Sequence, residues 1–261
     1  MSKINELFDQ ELKVINVGNP NFKKDLASED VKVIDLDWQP PAGGKVELIN
    51  ALDRLSKHQT KISEANKKVV EILKTSQARL IDIDTAINVV PGMKKNLILH
   101  AGPPVDWEDM SGPMEGAVIG ALIYEGLAEN EEEARVLAAS GKIEFAPCHE
   151  HSAVGPMAGV MSASMPVHIV ENNKYGNKAY CTVNEGLGKV LRFGAFSEEV
   201  IERLKFIENT YAPALKKALA LTDEGIDLKA IISQALHMGD ECNNRNKAST
   251  SLFFREITPY F

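Results

Sequence analysis

Cysteine is scarce in this sequence. The three present, Cys148, Cys181 and Cys242, lie far apart and lack CxxC spacing. An odd, scattered set excludes a disulfide framework and fits a reducing compartment. An excess of positive charge is also missing: the formal net charge is −8 and the pI about 5.4. Nucleic acid or an anionic membrane as the main partner requires clustered positive charge, so neither is expected. A small anionic substrate is compatible, because a few local Arg and Lys residues can dominate a pocket. No apolar run reaches the ~18 residues of a membrane span. Met1-Ser2-Lys3-Ile4-Asn5-Glu6 is too polar for a signal peptide. These absences together point to the cytoplasm. What is present is ordinary for a globular protein: 261 residues, 44% hydrophobic and 25% charged, suffice for a substantial core in one large domain or two smaller ones.

The first forty residues predict β-α-β, with a strand at Lys13 to Val17 ending on Gly18, a helix from Phe22 to Ser28, and a strand from Val31 to Leu36. Gly18 lacks the two further glycines of a dinucleotide fingerprint, so this reads as α/β scaffolding. Gln39-Pro40-Pro41-Ala42-Gly43-Gly44 is a firm break. From Lys45 to Ser76, Leu48, Leu52, Leu55, Ile62, Val69 and Leu73 recur at helical spacings, with Gln59 and Asn66 interrupting. One long helix or two consecutive ones fit, their stripe expected to face a core rather than a coiled-coil partner. Pro113 to Tyr124 predicts an apolar helix whose Gly116 and Gly120, one turn apart, permit close backbone packing. Asn130 before Glu131-Glu132-Glu133, and Ser197 before Glu198-Glu199, read as helix N-caps. Asp227 to Met238 is amphipathic and ends at Gly239. The class is α/β or mixed α+β, in three parts: a small β-α-β unit over 1–44, a helical connector over 45–95, and a glycine-rich mixed α/β domain over 96–261 that carries the site. Strand order is not legible.

Four stretches combine glycine with polar side chains that a loop does not need for folding. His100-Ala101-Gly102-Pro103-Pro104 follows a predicted strand, the place where open sheets hold ligands, though a rigid turn would read the same. Cys148-His149-Glu150-His151, followed by Gly155-Pro156-Met157-Ala158-Gly159, is the densest in chemistry. Its imidazoles, carboxylate and thiol suit a metal, general acid–base work or polarisation of a carbonyl. With no i, i+4 His pair and no second Cys/His cluster, metal is the minority reading. Asn184-Glu185-Gly186-Leu187-Gly188-Lys189-Val190-Leu191-Arg192 lacks Walker A spacing, but its glycines beside Lys189 and Arg192 fit a phosphate or carboxylate, or simply a tight turn. Gly239-Asp240-Glu241-Cys242-Asn243-Asn244-Arg245-Asn246 follows a helix end, where Asp240 or Glu241 could orient Arg245; a solvated helix start reads the same.

Ordered along the chain, these stretches resemble the YlbE/YahG-type family, a domain of unknown function. The resemblance rests on them together with Ile15-Asn16-Val17-Gly18 and Asp37-Trp38-Gln39-Pro40-Pro41-Ala42-Gly43-Gly44. Members of that family look like AllG-type subunits of the oxamate carbamoyltransferase of ureide (allantoin) breakdown, working beside an FdrA-like partner. The resemblance implies that oxalurate plus phosphate gives oxamate plus carbamoyl phosphate. It implies positive charge from Lys189, Arg192 and Arg245 for two bound anions. It also implies that His149 or His151 stabilises the carbamoyl oxygen or moves the amide proton, with Glu150 or Glu185 fixing the imidazole. His100, Gly102, Asn184, Asp240, Glu241 and Asn246 complete the expected substrate contacts. Neither metal nor organic cofactor is required by such a reaction, and an oligomer is expected. Family members run well past the length of this chain, which implies a truncated or split form. Two other readings stand beside this one: a metal-dependent hydrolase or lyase using Cys148, His149 and His151, and a non-catalytic scaffold or regulatory subunit.

Overall fold

A computed structural model describes residues 12–242 and 245–261. Met1 to Glu6, read above as too polar for a leader, and the amides Asn243 and Asn244 lie outside the described residues. The class is mixed α+β, and the chain divides into two compact units, Met1–Glu71 and Ile72–Phe261.

In the first unit, β1 (Lys13–Val17), α1 (Pro20–Ser28) and β2 (Lys32–Leu36) form the expected β-α-β, with β1 and β2 parallel and in register from Lys13↔Lys32 to Val17↔Leu36. Asn19 caps α1 by accepting the Asn21 N–H at 3.0 Å, and Pro20 begins the helix where a missing N–H costs nothing. A 3₁₀ turn at Pro41–Gly44 leads to α2 (Val46–Ser56) and α3 (Gln59–Thr75), the latter running past Glu71 into the second unit. The expectation that their leucine stripe faces a core is overturned. Neither helix has a buried residue, and Leu48, Leu52, Leu55, Val69 and Leu73 are all exposed, because helical periodicity marks an apolar face without supplying a layer to cover it.

The second unit begins with β3 (Ala78–Thr85) and α4 (Ala86–Val89), both inside the span expected as a helical connector. There follow β4 (Leu97–His100), α5 (Gly112–Tyr124), α6 (Glu131–Ala139), β5 (Glu144–Pro147), β6 (Ala153–Val154), β7 (Val160–Met161), β8 (Pro166–Asn172) and β9 (Lys178–Thr182). The chain closes with α7 (Glu198–Phe206), α8 (Ala212–Leu219), β10 (Ile226–Asp227), α9 (Leu228–His237) and α10 (Lys247–Ile257). Caps set several starts: Asn130 accepts the Glu133 N–H at 3.0 Å and Asp227 the Ala230 N–H at 2.9 Å. Ser197 occupies the N-cap position of α7 without a side-chain bond, so its capping role is backbone conformation alone.

Two sheets stack between two helical layers. The five-stranded sheet runs β10-β3-β8-β9-β6 and the three-stranded sheet β5-β4-β7. Ile98 and Val160 turn one face of the small sheet toward α5, α6 and α7, whose Ala117, Leu122, Ala134 and Leu204 join the same cluster. On its other face, Leu97, Leu99 and Met161 meet Val167 of β8. The far side of the large sheet, through Leu80 and Ile83, is covered by Leu215 of α8, Ile231 of α9 and Leu252 of α10. Between α7 and α8 the helix widens into a π turn, Ile207–Tyr211, where the Ala212 N–H reaches the Ile207 carbonyl. Pro213 follows at once and has no N–H to return to the preceding turn, so the irregularity falls where the normal ladder would fail anyway.

The large sheet half-buries a titratable group. His168 of β8 stands opposite Ile83 and Cys181, its Nε2 3.4 Å from the Tyr211 hydroxyl. Burial pushes its imidazole down to about 4. The unfolded value is near 6.5. Between the two values the unfolded chain binds a proton that the folded chain refuses, so stability falls as pH drops through that window and levels off below it. Denaturant titrations at pH 7 and pH 4 should show the wild type losing up to about 3 kcal/mol more than His168→Gln. Equal losses in both proteins would place the imidazole in water.

Candidate active site

The small sheet explains why the first two stretches meet. β4 and β5 are parallel, with His100 opposite Pro147, so the His100–Pro104 turn and the Cys148–His151 turn leave the same sheet end side by side. Carboxyl ends of parallel strands are where such sheets present loops to ligands. His100 is buried: its Nδ1 lies 2.9 Å from the Ala101 carbonyl, and its Nε2 is buried with no hydrogen-bond partner among the described residues. A buried orphan nitrogen in a loop rich in polar groups calls for an explanation beyond packing. Gly102 takes φ +85°, a value costly for any residue with a Cβ.

Cys148–His151 is a single 3₁₀ turn ended by Ser152 at φ 54°, a left-handed conformation unusual outside glycine. At three residues per turn, His149 and His151 project about 120° apart. Cys148 points inward, into the cluster with Leu99 and Val167, and burial pushes its thiol up to about 11, so it is protonated and unreactive near neutrality. His149 and Glu150 are exposed. His151 turns back on the turn before β4, with Nδ1 2.6 Å from the Pro91 carbonyl and its ring against Gly92. Nδ1 must be the protonated nitrogen in that contact, which leaves Nε2 with a free lone pair when the ring is neutral. Among the described residues no three His, Cys, Asp or Glu side chains converge as a metal set.

The third stretch docks against the second. A Cβ at Gly159 would clash with the Pro156 ring and come within 3.1 Å of the Arg192 Cβ, so the end of the Gly155–Gly159 loop lies against the Arg192 side chain. Glu185 is used by its own loop: it accepts the backbone N–H groups of Leu191 and Arg192, the latter at 3.1 Å. It therefore braces the cationic turn, and neither of these bonds reaches an imidazole. Arg192 donates to Asn184 Oδ1 at 2.6 Å and to the Gly186 carbonyl at 2.7 Å, and its guanidinium lies 5.0 Å over the Phe193 ring. Those two bonds leave further N–H donors of the guanidinium for a ligand. Lys189 is exposed beside it. Between the loops is a cavity of ≈ 30 Å³, lined by Tyr124, Pro156, Gly159, Thr182, Glu185 and Arg192. It has room for about one or two water molecules.

Tyr124 lines that cavity and is hydrogen-bonded to Glu208, a pair that sequence reading missed. The Tyr124 hydroxyl donates to Glu208 of the π turn at 2.7 Å; burial first, then that carboxylate, raise its pKa well above the ordinary phenol range. One hydroxyl at the end of an apolar helix gives no sequence signal, and nothing local announces a π turn.

The fourth stretch stays within the α9–α10 connection as far as Asp240 is concerned. This buried carboxylate accepts the Cys242 N–H at 2.7 Å and the Ser249 N–H at 2.9 Å. Burial pulls its pKa up, but the backbone donors of Ser249, Cys242 and Ala248 and the Ser249 hydroxyl outweigh it and hold the group below its usual range. Glu241 accepts the Arg245 N–H at 2.9 Å, and Asn246 sits at the N-cap of α10. The arrangement reads as the scaffold of a turn that leaves Arg245 exposed.

Comparison with known proteins finds relatives along most of the chain. Residues 143–261 match the family described as oxamate carbamoyltransferase subunit AllG. YahG of Escherichia coli (strain K12), described as uncharacterized, is 51% identical over 255 residues, covering 97% of this chain and 54% of that protein. These matches support a YahG/AllG-type family. The oxamate carbamoyltransferase subunit AllG of the same organism is 42% identical over 201 residues, covering 77% of this chain and 48% of AllG. A crystal structure of a conserved protein of unknown function from Enterococcus faecalis V583 is similar at a TM-score of 0.75 and 51% identity, over 77% of this chain and 48% of that one. This chain thus spans about half the length of the YahG/AllG-type proteins it matches. The AllG match includes the Cys148–His151 turn, the Asn184–Arg192 loop and the Asp240–Asn246 connection. Among the described residues, no helix is long and apolar enough to cross a membrane.

Proposed function

We propose that this chain is part of a carbamoyltransferase subunit that handles oxalurate, oxamate and carbamoyl phosphate. The observation that supports it is the match of residues 143–261, three of the four polar loops included, to a family described as an oxamate carbamoyltransferase subunit. In the proposed step a phosphate oxygen attacks the carbamoyl carbon of oxalurate. The bond from that carbon to the central nitrogen breaks, and the nitrogen leaves as the amide of oxamate, taking the proton that phosphate gives up. His151, held through Nδ1 on the Pro91 carbonyl, presents Nε2 to relay that proton. His149 or the His100 loop stabilises the charge that builds on the carbamoyl oxygen. Arg192, aimed by Asn184 and Gly186, together with Lys189 and Arg245, supplies positive charge for two anions. The chemistry asks for no organic cofactor or metal, and an FdrA-like subunit is the proposed partner.

Melting curves of the chain with phosphate, oxamate and carbamoyl phosphate test the anion site. At a concentration 100-fold above Kd, binding adds about 2.7 kcal/mol, which is a rise of about 5–10 °C for a unit of this size. Arg192→Ala should abolish most of that rise. If no anion shifts the midpoint, and the chain with an FdrA-like subunit leaves oxalurate intact in phosphate, the carbamoyltransferase reading fails and a scaffold role takes its place.

A further inference from the structure

The first unit carries apolar surface that nothing described within that unit covers. Among its described residues Asn16 alone is buried. Ile15 and Val17 of β1 stand opposite Ile34 and Leu36 of β2 on one face of the ribbon, and they are 62%, 55%, 65% and 48% exposed. The stripe on α2 and α3 is likewise open. A two-stranded ribbon is marginal by itself. A parallel one is more demanding still, because parallel sheets occur almost only with both faces covered. Its outer edges, with no third strand among the described residues, are templates for further pairing.

We propose that this β-α-β is the start of a larger parallel sheet, completed by the part of the family's polypeptide that lies beyond the length matched here. The match to YahG takes in 97% of this chain yet only 54% of YahG, so the relative has just under half its length available to supply strands and covering helices. Parallel ladders grow by crossover connections of a dozen or more residues, usually helical, so added strands bring their own cover. The occupant is therefore a polypeptide with β-α repeats that lays a parallel strand along β1 or β2 and a helix over Ile15, Val17, Ile34 and Leu36.

Hydrogen exchange tests this directly, using as probe the portion of E. coli YahG outside the match, expressed as a separate chain. Alone, the amides of Lys13–Val17 and Lys32–Leu36 should exchange quickly. With the probe, a 1:1 complex should form by light scattering, and those amides should slow by about tenfold or more. The pair Ile15→Lys, Ile34→Lys should abolish complex and protection while β3 and β8 exchange as in the wild type. Slow exchange of β1 and β2 in the monomeric chain alone would overturn the proposal. So would protection that grows with the chain's own concentration as a dimer appears, since a second copy would then be the occupant. A mixture with no complex, or with a complex that leaves these strands unprotected, overturns it as well.

Discussion

Alanine at both His149 and His151 is expected to lower phosphate-dependent cleavage of oxalurate by about 10²–10⁴-fold, the span ordinarily lost with a positioned proton carrier. The expectation follows from how differently the two rings are held. His151 has one defined tautomer, because the Pro91 carbonyl lies 2.6 Å from Nδ1. His149 is exposed at the surface of the turn. His151→Ala alone should therefore account for most of the loss in kcat, and His149→Ala for less. Neither substitution removes a buried group, so the melting temperature should stay within about 2 °C of the wild type. Steady-state rates of the three variants in the competent assembly decide the matter. Full activity in the double variant would remove this turn from the chemistry while leaving the anion site to be judged by its own ligand-induced shifts.

Gly116→Val should cost about 3 kcal/mol or more, seen as a fall of about 6–12 °C in the melting temperature of a unit this size. At Gly116 a Cβ would overlap the carbonyl oxygen of Gly194 and sit 2.9 Å from its carbonyl carbon. The obstacle is backbone, which cannot swing aside as a side-chain end can. Gly194 is equally constrained, with φ +83° and a Cβ that would lie 2.7 Å from Pro113 Cα. The strain would thus fall on the Leu191–Gly194 turn, which holds Arg192 against the cavity. Gly116→Val should accordingly weaken the phosphate-induced rise in melting temperature as well as stability. A stable protein with an unaltered phosphate response would show that α5 can move away without disturbing the loop.

Much of the local structure was legible because it is decided locally. The β-α-β of the first unit, the break at Pro40-Pro41, the helical stretch after it, the cap at Asn130 and the amphipathic helix from Asp227 all follow from short-range periodicity and side-chain bonds to nearby N–H groups. The close-packing use of Gly116 and Gly120 was also legible, although not the partner, which is the Leu191–Phe196 segment. The leucine stripe on α2 and α3 misled, since periodicity reports an apolar face and says nothing of whether the chain covers it. The resemblance implies Glu150 or Glu185 as the residue fixing an imidazole; Glu185 braces the Leu191 and Arg192 backbone, bonds across six and seven residues that composition cannot reveal. Tyr124 and Glu208 were missed for the same reason, at a separation of 84 residues.

By itself, the sequence determined which residues have chemistry to offer: an acidic chain with few cysteines, four polar glycine-bearing loops, and imidazoles and guanidinium groups concentrated in them. Side-chain identity and local turn propensity are enough for that. Which loops share a location was decided only by tertiary structure. The parallel register of His100 with Pro147 aligns the first two loops, and the absence of a Cβ at Gly159 lets the second lie on Arg192. Strand register and close backbone approach depend on residues far apart in the chain, so no local pattern encodes them.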